Sequence, residues 1–161
     1  TPLRPLEFII ALIVSRLAII LAQITLLLLV ADFVFDITLS GSLLLMYLFV
    51  ILGSILFLGL GFVLGALAKT QNAVMTFGNL FIFPQIFLAG VFFSIDSLPG
   101  CLQPLAFILP LNFVSDAIRQ VANDGAVLGE LMVPIAGIAV WLVFGISLAT
   151  WLFRWDEAAN G

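Results

Sequence analysis

The sequence predicts an all-α, polytopic membrane helix bundle, with four transmembrane helices plus short re-entrant or interfacial helices on one side. Three observations predict it. First, hydrophobic residues make up 64% of the chain, charged residues 9%, and mean hydropathy is +1.35. A soluble domain is about half apolar and about a quarter charged, so this chain can scarcely hide its apolar surface except in lipid. Second, four segments are long enough to span a bilayer core of about 30 Å, which takes roughly 20 apolar residues. Third, between Thr70 and Asn123 a long uncharged run is broken at Pro84, then punctuated by Pro99, Gly100, Pro104 and Pro110. A plain membrane anchor has no use for that pattern. It describes a spanning helix followed by apolar pieces that enter the membrane edge without crossing, and it predicts a transport subunit.

The first predicted span covers about 10–34 and carries Arg16 and Gln23. Only Leu17 to Ala31 is free of charge, so Arg16 is expected to snorkel to one interface. The second span, about 42–68, is uncharged throughout. The third, about 73–93, is uncharged but contains Pro84, and the fourth, about 131–153, has Pro134 in its first turn, where a missing N–H costs little. Residues 97–115 are also uncharged, yet their Pro and Gly interruptions argue against a fifth straight crossing.

Charge placement predicts the orientation. With four crossings, both ends and the turn at Lys69 share one side, together with Arg4, Arg16 and Arg154. The other side holds Arg119 alone among bases, beside Asp32, Asp36, Asp96, Asp116, Asp124 and Glu130. The basic side is expected to be cytoplasmic. Trp151 and Trp155 flank Arg154 as interface anchors.

The region of about 97–124 is then exofacial. From Leu111, the apolar residues Leu111, Val114, Ile118 and Val121 fall at i, i+3, i+7 and i+10, opposite Asn112, Ser115, Asp116, Arg119, Gln120 and Asn123. This predicts a short amphipathic helix, started by Pro110 and stopped near Asn123–Gly125. Asp116 and Arg119, three apart, are placed to pair on its polar face. Two readings stand: a helix lying in the interface, or a lid over a translocation pathway, formed with the piece Leu98–Leu109. Non-helical backbone at membrane depth is tolerated only where protein or a water-filled cavity covers it, which favours the lid.

Gly61 and Gly65 lie four apart in the second span, where small residues let helices approach closely. They serve either packing within the chain or a seam between two copies. In the third span Phe77, Phe81, Pro84, Leu88 and Phe92 approximate one helical stripe, within a wider aromatic set that includes Phe83, Phe87 and Phe93. Such a stripe faces lipid or core, or it offers a hydrophobic substrate an adaptable surface.

The missing residues limit the chemistry. Histidine is absent and Cys101 is the single cysteine, so no His/Cys metal site and no intrachain disulfide is expected. No span carries an acid or lysine near its centre for ion coupling. The sequence contains no nucleophile–base pair and no ATP-binding motif, and neither a cofactor nor a nucleic-acid partner is expected. Uphill movement of a substrate would draw its energy from a partner ATPase. The alternative class is a non-transporting scaffold or assembly subunit. A membrane lipid enzyme would show interfacial acid or His clusters, whereas the cytoplasmic side offers only Glu7, Asp156 and Glu157. The opening has Arg4 and Glu7 without a small-residue cleavage site, so it reads as a continuation of an upstream segment and not as a signal peptide.

The run from Phe77 to Gly125 resembles the hallmark region of ABC-2 type transporter permeases, particularly the bacterial drug-exporter branch. The shared features are a Pro-containing helix, the stretch Phe87-Leu88-Ala89-Gly90-Val91-Phe92-Phe93, the step Ser97-Leu98-Pro99, and an "L-P-L-x-x-x-x-D-x-x-R" pattern from Leu109 to Arg119. Upstream, GLGFVLGALAKTQNAV is similar to the family's Gly-rich helix and basic turn, and TPLRPLEFIIA to the segment after its coupling helix. Ser94 departs from a frequent Pro and Asn112 from a frequent Thr.

The resemblance implies that 1–161 is one transmembrane permease domain, four spans of a six-span fold whose first two spans and most of whose coupling helix lie upstream. It also implies a second permease copy and two cytoplasmic ATP-binding subunits, with Arg4, Glu7 and Lys69 on the ATPase-contact side. The region around Pro99, Pro110, Asp116 and Arg119 would form the exofacial gate, and Phe77, Phe81, Pro84 and Phe87 part of the substrate pathway.

Overall fold

A computed structural model of the chain describes residues 5–37, 40–68, 70–91 and 95–159, at the backbone alone for 5, 6, 8, 9, 96 and 152–159. The described residues are helical, with no strand among them. Three long helices are α1 (Pro5–Phe35), α2 (Leu43–Leu67) and α6 (Met132–Ala159). Each contains a stretch apolar and long enough to cross a membrane: Ile10–Phe35, Leu43–Leu67 and Met132–Trp151. These match the first, second and fourth predicted spans.

The third predicted span is shorter than expected. Helix α3 runs Gln71–Leu88, 18 residues or about 27 Å, and does not continue to 93. Gln71, Asn72, Thr76, Asn79 and Gln85 dilute its apolar character, so it is absent from the long apolar helices. The hydroxyl oxygen of Thr70 caps its start, accepting from Ala73 N–H at 3.2 Å. It stops at Gly90, whose φ of 71° is a left-handed conformation that favours glycine.

A short 3₁₀ turn, Ile95–Ser97, leads to α4 (Gln103–Ile108) and α5 (Pro110–Arg119), and a π-helical turn, Gln120–Asp124, extends α5. At six and ten residues, α4 and α5 are too short to cross a bilayer. Pro110 stands first in α5, where its missing N–H is harmless, and Gly125, at φ 66°, ends the π turn inside the predicted stop.

The core lies where α2, α5 and α6 meet. Phe49, Leu56 and Leu60 of α2 pack with Val114, Ala117 and Val121, and with Leu131 and Ile138 at the α6 side. Within lipid such packing is held by van der Waals contact, because leaving lipid tails brings no hydrophobic gain. Close approach therefore decides the geometry. A Cβ on Gly53 of α2 would lie 2.6 Å from Val114 Cγ1, and one on Gly137 of α6 would run into the Phe113 ring. These two glycines seat α5 between α2 and α6.

Helix α1 packs more loosely, along α2. A polar contact joins them: Thr25 Oγ1 donates to the Leu21 carbonyl at 2.7 Å and lies 2.8 Å from the Tyr47 hydroxyl. Threonine has a single hydroxyl hydrogen, already committed, so Tyr47 is the donor to Thr25.

Candidate functional site

The polar contacts of the bundle gather where α3 ends against α5. Leu111, Ser115 and Arg119 recur every four residues and share one helix face. Each meets a group at the end of α3. The Leu111 N–H donates to Gln85 Oε1 at 3.2 Å, the Ser115 hydroxyl is 3.1 Å from the Ala89 carbonyl, and Arg119 Nη2 donates to the Gly90 carbonyl at 2.7 Å.

The reason lies in helix ends. The first N–H groups and last carbonyls of a helix have no partner within it, and away from water each must find one elsewhere. Leu111 is such a donor in α5; Ala89 and Gly90 are such acceptors just past α3. The two ends satisfy one another through Gln85, Ser115 and Arg119. A cation near a helix C-terminus is also favoured by the helix dipole. Gln85 is central, only 1% exposed, and its amide also donates to the Phe81 carbonyl at 3.1 Å.

Two further ties hold the pair α4–α5. Trp141 of α6 donates its indole N–H to the Ile108 carbonyl at 2.8 Å, at the end of α4. Between α1 and α2, the Ser40 N–H donates to the Ala122 carbonyl of the π turn at 3.0 Å. Gly41 abuts the carbonyl of Val121, where a Cβ would collide. Contacts from α3, α6 and the α1–α2 connection thus surround the short helices.

This geometry corrects two expectations. Asp116 and Arg119 do not pair with each other: Asp116 accepts from Gln120 Nε2 at 2.8 Å, and Arg119 reaches α3. Nor does α5 divide into a protein-facing apolar half and a water-facing polar half. Asn112 is 7% exposed, and Pro110, Val114 and Ala117 are buried with it. Ser115 and Arg119 turn toward α3, whose last carbonyls need donors.

The other predicted residues fall as follows. Phe77 and Phe81 come together in a hollow of about 470 Å³ with Leu64, Leu67 and Leu80. Pro84 lies in a different one with Thr76, Asn79, Leu80 and Phe83, and Phe87 is half exposed in neither. Pro99 is exposed, its carbonyl accepting from Leu102 N–H at 2.8 Å. Gly61 and Gly65 are exposed, and a Cβ on either would meet no atom of the described residues within 4 Å. Glu7 is exposed in the first turn of α1. Arg4, Lys69, Phe92, Phe93 and Ser94 lie outside the described residues. Sequence reasoning missed Gln85, Ser115, Trp141, Gly53 and Gly137. A glutamine directly after a mid-helix proline was one available signal, since freed backbone groups recruit polar side chains.

Three long apolar helices, with short helices packed among them at one end, define a multi-pass membrane domain. Residues 1–122 match the family described as ABC-2 type transporter, and the chain belongs to that family. It is similar to ABC transporter G family member 20 of Dictyostelium discoideum, 28% identical over 84% of this chain and 19% of the relative. The probable multidrug ABC transporter permease YbhS of Escherichia coli (strain K12) is 28% identical over 77% of this chain and 33% of the relative. Nodulation protein J of Rhizobium leguminosarum bv. viciae is 32% identical over 61% and 38%. The chain therefore spans about a fifth to two fifths of the length of these curated relatives. No solved structure matches it. The chain is the membrane permease part of an ABC-2 transporter, which does not itself hydrolyse ATP.

Proposed function

We propose that this domain belongs to an ATP-driven exporter that moves a hydrophobic or amphipathic substrate out of the cytoplasm or inner leaflet. The observation that carries the reading is the placement of α4 and α5: two helices too short to cross, held among α2, α3 and α6 by contacts at helix ends. In this reading α3 is also a crossing, the third of four in chain order, both ends of the chain are cytoplasmic, and α4–α5 form the exofacial gate. A hydrogen-bonded latch at Gln85, Ser115 and Arg119 closes it. Cytoplasmic ATP-binding subunits supply the work, and a second permease copy completes the pathway, with the hollow at Phe77 and Phe81 on the substrate's route. Family membership and the multidrug permease among the relatives support the substrate class.

The test is purification of the full-length protein from membranes. Recovery of an ATP-binding subunit whose ATP turnover changes when it is reconstituted with this permease is the expected result. Recovery of the permease with no such subunit overturns the reading and leaves a non-transporting scaffold.

A further inference from the structure

The hollow between α1, α2 and α6, about 230 Å³, is lined by carbon-rich side chains such as Ile13, Leu56 and Phe62. The hollow at the connected ends of α1 and α2 differs in chemistry. It encloses about 440 Å³, within the range of small-molecule sites. Its walls are Leu28, Leu29, Ile37 and Leu43, and its polar groups are Thr25, Tyr47 and Asp32.

The walls are held in place by the backbone. Asp36 adopts a left-handed φ of 52°, its N–H donates to the Asp32 carbonyl at 3.1 Å, and Ile37 N–H folds back to the Ala31 carbonyl at 3.0 Å. That cap turns Ile37 into the hollow. Gly41, on the same hollow, rests on the π turn.

The charge is unbalanced. A helix C-terminus favours cations, yet α1 ends on Asp32 and Asp36 with no basic residue in its last turn. Asp32 has no ion-pair partner among the described residues, and Arg119, the basic side chain of α5, is engaged at Gly90. The hydroxyl proton of Tyr47 is committed to Thr25, which leaves its oxygen and ring face as what it offers a ligand. Both attract positive charge.

We propose that this corner is a binding site for an amphipathic organic cation, its body against Leu28, Leu29, Ile37 and Leu43 and its positive head beside Asp32. An anion, or the phosphate of a zwitterionic lipid, is repelled by Asp32 and Asp36. An uncharged chain gains nothing from the carboxylate. The proposal rests only on α1 and α2 lying in the membrane, so it stands or falls separately from the transport reading.

The experiment is equilibrium binding to the full-length protein in phosphatidylcholine nanodiscs, corrected for empty discs. The probes are tetraphenylphosphonium and its near-isosteric anion tetraphenylborate. Saturable binding of the cation, with none of the anion, is expected. Asp32→Asn weakens it about tenfold, Asp32→Glu restores most of it, and Leu29→Trp, which fills the hollow and keeps the charge, also removes it. Equal binding of both ions, or wild-type affinity in Asp32→Asn, overturns the proposal. Should that variant not fold, Leu29→Trp decides, and unchanged affinity there overturns it equally.

Discussion

The guanidinium of Arg119 donates to the carbonyl of Gly90 at 2.7 Å, joining residues 29 apart in the chain. Gly90 is the left-handed stop of α3 and Arg119 the last residue of α5, so one contact ties the end of a membrane-length helix to the end of a helix that cannot cross.

Arg119→Ala should destabilise the protein by about 1 kcal/mol, a low value for a charge-assisted bond because the side chain is exposed. Arg119→Lys keeps the charge and should lose less. Thermal unfolding in detergent reads both; a variant that melts with the wild type removes the latch from the account.

Gln85 should be less forgiving. Gln85→Leu keeps the volume but strands the half-buried Leu111 N–H, at a cost of about 1–3 kcal/mol. In hydrogen exchange, the Leu111 amide should lose protection in this variant. Protection equal to the wild type would show that the amide has another partner.

The glycines divide into two sets. Gly53→Val and Gly137→Val drive a side chain into Val114 and Phe113 and should cost about 1–3 kcal/mol each. Gly61→Ala and Gly65→Ala meet no atom of the described residues within 4 Å and should leave stability within about 0.5 kcal/mol. If they form a seam between copies, the mass of the complex changes while the fold does not. Equal destabilisation by both sets contradicts the packing described for α5.

How far the fold was legible follows from which signals are local. The spans in α1, α2 and α6 could be read because length and hydropathy suffice, and the start and stop of α5 because Pro110 and Gly125 act on their own backbone. The end of α3 was read too late although Gly90 is a local stop signal, and the Arg119 contact that holds that end comes from far along the chain. Polarity was a poor guide to exposure at Asn112, which is buried along with Pro110, Val114 and Ala117. The pair Gly61 and Gly65 carries the familiar spacing but meets no neighbour among the described residues, while the solitary Gly53 and Gly137 accept α5. Spacing reports a capacity for close approach, and only the neighbour decides whether it is used.

The central claim is that α4 and α5 form an exofacial gate, and Cys101, exposed in the turn before α4, offers a direct probe. Intact cells or spheroplasts are treated with a membrane-impermeant maleimide, with Cys101→Ala as background and Lys69→Cys in that background as the opposite-side control. The account predicts labelling at Cys101 before permeabilisation and at Lys69→Cys only after it. Labelling of Cys101 only after permeabilisation would place α4 and α5 on the cytoplasmic side and contradict the account.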